Sequence, residues 1–304
     1  KRAWFFCTVC WRNRCRATCT VFWPNYQCLD LTYGLMCLFE RCTEWHIPVV
    51  LLILDIAEAF DSMVVRRLDQ GLQQRNTPAR LRVAFLREFV GNTLDIQVGG
   101  YKSSEKVPMG RGGCQVGAAT PVCWNVELAC ALDELQFIWA GRGTLFTLPG
   151  DDGESVPVEN IAVWADNLFC LCDSVEQACE RAPEITAVLR AHGKELKATS
   201  LEALANAQAK RHHYYSSGSA ELPDLLVQGM AEPMRYKWLD QTNQLGCSFH
   251  VDGLQSAAQA AAHVPFATLW RSRKLALTCR RVPFRRRFAD NHRRLLRAVL
   301  WASG

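Results

Sequence analysis

Hydrophobic positions change their period several times along this chain, and each change predicts an element. Leu31, Leu35, Leu38 and Cys42 recur near helical spacing, which predicts a helix over Leu29–Trp45. Val49 to Leu54 is an unbroken apolar run after Pro48, the pattern of a strand buried on both faces, and it extends to Ile56. Two helical stretches follow, about Ser62–Arg75 and Pro78–Val90, the second opened by Thr77-Pro78 as cap and first helical residue. Thr93–Val98 and Tyr101–Val107 flank Gly99-Gly100, a two-residue hairpin signal. A glycine-rich turn then leads into a mostly apolar helix over Pro121–Trp139. Glu159–Trp164 and Leu168–Cys172 form a second hairpin around Ala165-Asp166-Asn167, and a helix over Val175–His192 follows it. Strand-like pieces at His213–Ser216, Lys237–Leu239 and Leu245–Phe249 precede a helical C-terminal third. Helices and strands alternate around a central hairpin, so the predicted class is α+β.

Length and composition narrow this picture. At 304 residues, 49% apolar and 21% charged, the chain belongs with ordinary globular proteins and not with disordered ones. Its longest apolar run, six residues at Val49–Leu54, is far short of the roughly 20 that a membrane span needs. No signal-peptide pattern opens the chain, so an intracellular protein is expected, in cytoplasm or nucleus and without a membrane partner. Lys1-Arg2-Ala3 lacks an initiator Met, and the chain reads as a piece of something longer. Three regions are predicted: an irregular Cys/Arg-rich segment over 1–28, a main unit over 29–250 and a basic extension over 251–304.

Of 15 cysteines, Cys7, Cys10, Cys15 and Cys19 invite a zinc reading. Structural zinc sites separate their ligand pairs by about 12–20 residues, and here four residues intervene between Cys10 and Cys15. Scattered thiols in a reducing compartment are the better expectation.

The net charge of +5 conceals an asymmetry. Between Arg271 and Arg297 stand eleven Lys and Arg residues against a single acid, Asp290, so that this stretch carries +10 and the rest of the chain −5. Leu295 with Val299 and Leu296 with Leu300 make i,i+4 apolar pairs, which gives an amphipathic helix with a basic face. A solvated face is one reading. Contact with a nucleic-acid backbone is the other, and the shortage of acidic partners for Arg285, Arg286 and Arg287 favours it.

The chemistry concentrates in three segments. In Leu54-Asp55-Ile56-Ala57-Glu58-Ala59-Phe60-Asp61 a carboxylate ends an apolar strand, where an ionised group is costly unless a cation pairs with it. Ala165-Asp166-Asn167 puts a second carboxylate at a tight turn between apolar strands. Two such aspartates converging on one spot repel each other, and a divalent metal is the usual compensation. Taken singly, Asp55 also fits a strand end facing water, and Asp166-Asn167 also fits ordinary turn chemistry. Between them lies the third segment, Gly112-Gly113-Cys114-Gln115-Val116-Gly117-Ala118-Ala119-Thr120-Pro121.

In this order the three segments resemble a reverse transcriptase, in particular those of non-LTR retrotransposons and group II introns. The family's Asp-x-x-x-Ala-Phe-Asp is matched by Asp55, Ala59, Phe60 and Asp61. Its Gly-x-x-Gln-Gly-x-x-x-Ser-Pro is matched by Gly112, Gln115, Thr120 and Pro121, with Val116 in place of the second Gly. Its Tyr/Phe-Ala-Asp-Asp is matched by Trp164, Ala165, Asp166 and Asn167, and its later Leu-Gly by Leu245-Gly246. The resemblance spans roughly Leu29 to Phe249.

What the resemblance implies is a right-hand polymerase with fingers and palm, carrying here a thumb-like or connecting basic extension. It implies an RNA-directed DNA polymerase acting on an RNA template, a DNA primer and dNTPs. Two Mg²⁺ ions, or Mn²⁺, are implied at Asp55 and Asp166 with the Ile56 carbonyl assisting. Phe60 is implied beside the sugar, excluding a 2′-hydroxyl. Gln115, Gly112 and Pro121 are implied to line the nucleotide and template pocket, and Leu245-Gly246 to grip the primer. The family's lysine after its third motif corresponds to Lys194 or Lys197, and its fingers arginines to Arg12, Arg14 or Arg16. Asn167, where the family has a carboxylate, and Val116 are departures. They leave a second expectation, a decayed copy that binds nucleic acid without catalysis.

Overall fold

A computed structural model describes residues 28–251, apart from 88, 91–92, 95–96, 103–105, 109, 114–118, 151–153, 230–231 and 246. The zinc question at Cys7–Cys19, the fingers arginines, Gln115, Val116, Gly246 and the basic extension lie outside the described residues. The class is α+β.

β1 (Val50–Asp55) is the centre of a five-stranded sheet. It runs antiparallel to β9 (Asn167–Cys172) on one side and to β10 (Glu202–Ala205) on the other. β8 (Ile161–Trp164) pairs with β9, and β13 (Lys237–Leu239) lies parallel to β10, giving the order β13-β10-β1-β9-β8. Two long helices interleave with these strands: α4 (Thr120–Gly141) before β8 and α5 (Val175–Ala191) after β9. The succession β1-α4-β8-β9-α5-β10 is a β-α-β-β-α-β unit.

The unbroken apolar run of β1 now has its reason. Val50, Leu52 and Leu54 face a core shared with α4, α5 and α2 (Val65–Gln74), while Val49, Leu51 and Ile53 face a second core under α1 (Cys28–Glu44). All six residues are essentially inaccessible to water. Each such side chain contributes about 1.5–3 kcal/mol on burial, so the strand's place in the sheet is firmly set. α4 buries Trp124, Leu128, Leu132, Leu135 and Trp139 in the first core, while its apolar Val122 and Phe137 are exposed on the other side. α5 starts at Ser174, whose hydroxyl accepts from the Gln177 N–H at 3.1 Å. The buried Arg181 stacks on Trp139 at 4.4 Å and donates to the carbonyls of Leu171 and Thr144.

Between β1 and α4 run α2, α3 (Ala79–Arg87) and short ladders. β3 (Gln97–Val98) pairs with β4 (Tyr101–Lys102) around Gly99 and Gly100, whose φ values of +57° and +88° are the left-handed conformations this turn requires. β2 (Thr93–Leu94) pairs with β5 (Val107–Pro108) further out. A further hairpin joins β6 (Thr147–Pro149) to β7 (Ser155–Pro157).

Two expectations are corrected. His213–Ser216 is not a strand but the last part of α6 (Ala207–Ser217), started by the Asn206 cap and ended by Gly218 at φ +73°. Its His213 bonds Glu176 of α5 at 2.8 Å. Leu245 does not open a strand. It stands in the turn, at φ +53°, between β14 (Gln241–Gln244) and β15 (Cys247–His250). β11 (Leu226–Gln228) and β12 (Pro233–Arg235) pair separately beside α5. Among the described residues no helix is long and apolar enough to cross a membrane.

Candidate active site

The ladder between β1 and β9 builds the site. Asp55, the last residue of β1, lies opposite Asn167, the first of β9. Trp164 pairs with the same Asn167 across the β8–β9 hairpin, leaving Ala165 and Asp166 as a two-residue turn. Ala165 takes φ +57°, a left-handed conformation that costs a non-glycine residue about 1–2 kcal/mol. Two hydrogen bonds hold the turn. The Trp124 indole N–H donates to the Ala165 carbonyl at 2.9 Å, and the Ile56 N–H donates to the Asp166 carbonyl at 2.9 Å. The structure therefore brings Asp55, Ile56, Asp166 and Asn167 to one end of the sheet.

The electrostatics are those of two carboxylates held together. Burial raises the Asp55 pKa above the ordinary carboxylate value, and the charge of Asp166 raises it further. Lys197 opposes both, its ammonium 3.4 Å from Asp55 Oδ2. The Lys197 N–H also donates to the Asp55 carbonyl at 2.9 Å, so this lysine is held to the strand end by its own backbone. Asp55 Oδ1 is buried with no hydrogen-bond partner. Asn167 Nδ2 donates to Asp166 Oδ1 at 3.2 Å.

Of the two lysine candidates, Lys197 meets Asp55, and Lys194 does not face the carboxylates. Lys194 is fully buried and pairs with the equally buried Glu127 at 2.6 Å. Its Nζ donates to the Ser62 carbonyl at 3.0 Å and sits 4.8 Å over the Trp124 ring. Burial lowers the Lys194 pKa and raises that of Glu127, each against the pull of the other.

The segment after Asp55 is docked against the glycine-rich turn. Gly112 N–H donates to the Met63 carbonyl at 2.8 Å and Gly113 N–H to the Phe60 carbonyl at 2.9 Å. Gly112 has φ +90°, and a Cβ there would lie 3.1 Å from Asp61 Cα. At Gly113 a Cβ would lie 2.6 Å from Phe89 Cε1. Phe60 is half-buried and meets Trp124 edge-to-face, centroids 6.2 Å apart. Pro121 stands in the first turn of α4, three residues before that tryptophan. Leu245 belongs to the opposite face of the sheet, where its hairpin packs with the α1 core.

A cation here would have a short donor set. Among the described residues no three His, Cys, Asp or Glu side chains gather as a metal-binding group. Mg²⁺ commonly takes one or two protein carboxylates and completes its shell with water and substrate phosphates. Two adjacent carboxylates, one oxygen of which is buried and unpartnered, fit that requirement.

The chain matches no protein-family model, and no curated protein is similar to it in sequence. Trp124 and Glu127, which tie the site to α4, lie outside the matched motif positions. The available signal was a lone Glu inside the apolar pattern Val126-Glu127-Leu128.

Proposed function

We propose that this chain is the core of a retroelement RNA-directed DNA polymerase, extending a primer 3′-hydroxyl on an RNA template. One observation carries the reading. Asp55 at the end of β1 and Asp166 in the turn that leads into its partner strand β9 come together, each within the local sequence that the reverse transcriptase resemblance assigns to a catalytic carboxylate. The β-α-β-β-α-β sheet around them suits a polymerase palm.

Asp55, the Ile56 carbonyl and Asp166 would hold Mg²⁺ or Mn²⁺. Bound there, the metal supplies activation of the hydroxyl nucleophile and neutralisation of triphosphate charge. Asp55 and Asp166 concentrate negative charge at the strand ends. Phe60 offers a ring edge without a hydrogen-bonding group to the sugar. Gly112, with Gln115 and Pro121, would border the nucleotide and template, and Leu245-Gly246 the primer. Arg285, Arg286 and Arg287 would take duplex phosphates. Reversing those three charges should then reduce the salt dependence of binding by about three in log–log slope.

The competing reading, a copy that binds nucleic acid but extends nothing, draws on Asn167. Primer extension on a homopolymer RNA template with Mg²⁺ or Mn²⁺ separates the two. Extension that disappears in Asp166→Asn supports the polymerase. Binding without extension under either metal, in wild type and in Asn167→Asp, supports the copy.

A further inference from the structure

We propose that Trp124 is a positioning residue of this site, setting through one side chain both the approach of Asp166 to Asp55 and the orientation of Phe60. The inference rests on the polymerase reading for its substrates and on the geometry alone for its contacts.

Trp124 is fully buried one turn into α4. Its indole carries one donor and no acceptor, and that donor goes to the Ala165 carbonyl at 2.9 Å. Ala165 is the left-handed residue of the turn that carries Asp166. Without the bond this carbonyl has lost a partner in a half-buried place, and the turn is free to relax away from φ +57°. Asp166 would move with it, away from a neighbour that repels it.

The ring has a second task. Phe60 meets it edge-to-face at an interplanar angle of 83°, the arrangement the ring quadrupoles favour. Lys194 Nζ lies over the same indole at 4.8 Å. That ammonium is fixed by Glu127, which accepts from the Val64 N–H at 3.2 Å, and by the Ser62 carbonyl. The indole is thereby fixed between Phe60, an immobilised cation and the Asp166 turn. Phe60 and Ala165 come from distant parts of the chain and both meet this one side chain, while Gly112-Gly113 is tied to it indirectly, through hydrogen bonds to the Met63 and Phe60 carbonyls.

The two tasks are separable by substitution. Trp124→Phe keeps an aromatic ring and removes the N–H. Trp124→Leu removes both. The full chain is titrated with Mn²⁺ alone, followed by the electron paramagnetic resonance of the free ion. Affinity for dATP and for ATP is then measured in Mn²⁺, with thermal melting recorded for each variant. Trp124→Phe should weaken Mn²⁺ binding about five-fold, the range of one lost hydrogen bond, and leave the dATP/ATP preference within two-fold. Trp124→Leu should also lower that preference about ten-fold. Combined with Phe60→Val it should add less than two-fold, because both act through one ring. Should Trp124→Leu fail to fold, Trp124→Met replaces it, filling the space without a ring.

A lowered melting temperature with wild-type Mn²⁺ affinity in Trp124→Phe would make the residue merely structural and overturn the proposal. Independent, multiplying effects of Trp124→Leu and Phe60→Val would overturn it as well. Wild type that binds Mn²⁺ and dATP but extends no primer would sink the polymerase reading while these comparisons still decide the role of Trp124. Wild type that binds neither overturns both.

Discussion

Asn167 Nδ2 donates to Asp166 Oδ1 across 3.2 Å, so the amide that stands where the resembled family has a carboxylate holds its neighbour instead of adding charge. An amide supplies a neutral oxygen at most. Affinity for hard cations follows the charge of the ligands. Asn167→Asp should therefore lower the Mg²⁺ concentration needed for primer extension, and wild type should be partly rescued by Mn²⁺. In metal-free buffer the same variant should melt lower, since a third carboxylate joins two that already repel. A Mg²⁺ titration of extension, with melting curves in chelator and in saturating Mg²⁺, checks both outcomes. An unchanged Mg²⁺ requirement would remove Asn167 from the account of the site.

Asp55 makes stability depend on pH in a definite direction. Burial first, and then the charge of Asp166, raise its pKa above the free value of 3.8. Folding therefore favours the protonated form. This contribution is complete below the free pKa and is lost as pH rises through the folded one. Asp55→Asn removes that loss and gives up only the ion pair to the exposed Lys197, worth about 0–1 kcal/mol. In metal-free buffer at pH 7.5 (about neutral, well above the free value) Asp55→Asn should melt about 2–4 °C above wild type. The two curves should converge toward acid. The variant should extend no primer under either metal. A variant that melts below wild type at neutral pH would contradict the electrostatics described for this carboxylate.

Much of this arrangement was legible in the residues, and the part that was not has a common cause. β1 declared itself because its alternate residues fill two different cores, which leaves no polar position in the run. Gly99-Gly100 declared its turn because only left-handed residues close it. That Asp55 and Asp166 share a site is what the resemblance implies, and the ladder between β1 and β9 brings the two residues to one end of the sheet. β10 escaped because Glu202-Ala203-Leu204-Ala205 is made of good helix formers and becomes a strand by pairing with β1. The Tyr214-Tyr215 pair argues for a strand by propensity, but Asn206, eight residues before Tyr214, and Gly218, three after Tyr215, cap the two ends of a helix. Lys194 and Lys197 were indistinguishable because their partners, Glu127 and Asp55, are far off in sequence. What sequence reading lacked in each case was a contact between distant segments.

The buried pair of Glu127 and Lys194 should behave as a unit. Each is fully shielded from water, and each also serves the backbone, Glu127 at the Val64 N–H and Lys194 at the Ser62 carbonyl. Removing one partner strands a buried charge, at a cost of about 3–5 kcal/mol. Lys194→Met and Glu127→Gln should each lower the melting temperature by about 10 °C. The double variant should recover part of that loss, because no unpaired charge remains. Urea unfolding of the four proteins gives the coupling energy directly. Additive losses would mean that the two side chains stabilise the fold independently.

Gly112 joins the glycine-rich turn to the segment that follows Asp55, and its lack of a side chain is required twice. Its φ of +90° is one that residues with a Cβ rarely adopt, and the Cβ itself would lie 3.1 Å from both Cα and the carbonyl oxygen of Asp61. Backbone cannot swing aside as a flexible side chain can, so Gly112→Ala must shift the Asp61 segment or the turn. Strain of this kind costs about 1–3 kcal/mol. The hydrogen bonds of Gly112 to Met63 and of Gly113 to Phe60 lie on the path of that shift, so Phe60 should be displaced along with Asp61. Gly112→Ala should lower the melting temperature by about 2–10 °C and weaken the preference for dATP over ATP. Gly110→Ala is the control. It lies two residues away, has open space where its Cβ would go and carries no such φ, so it should leave both quantities unchanged. Equal behaviour of the two alanine variants would show that the close approach to Asp61 does not set the position of Phe60.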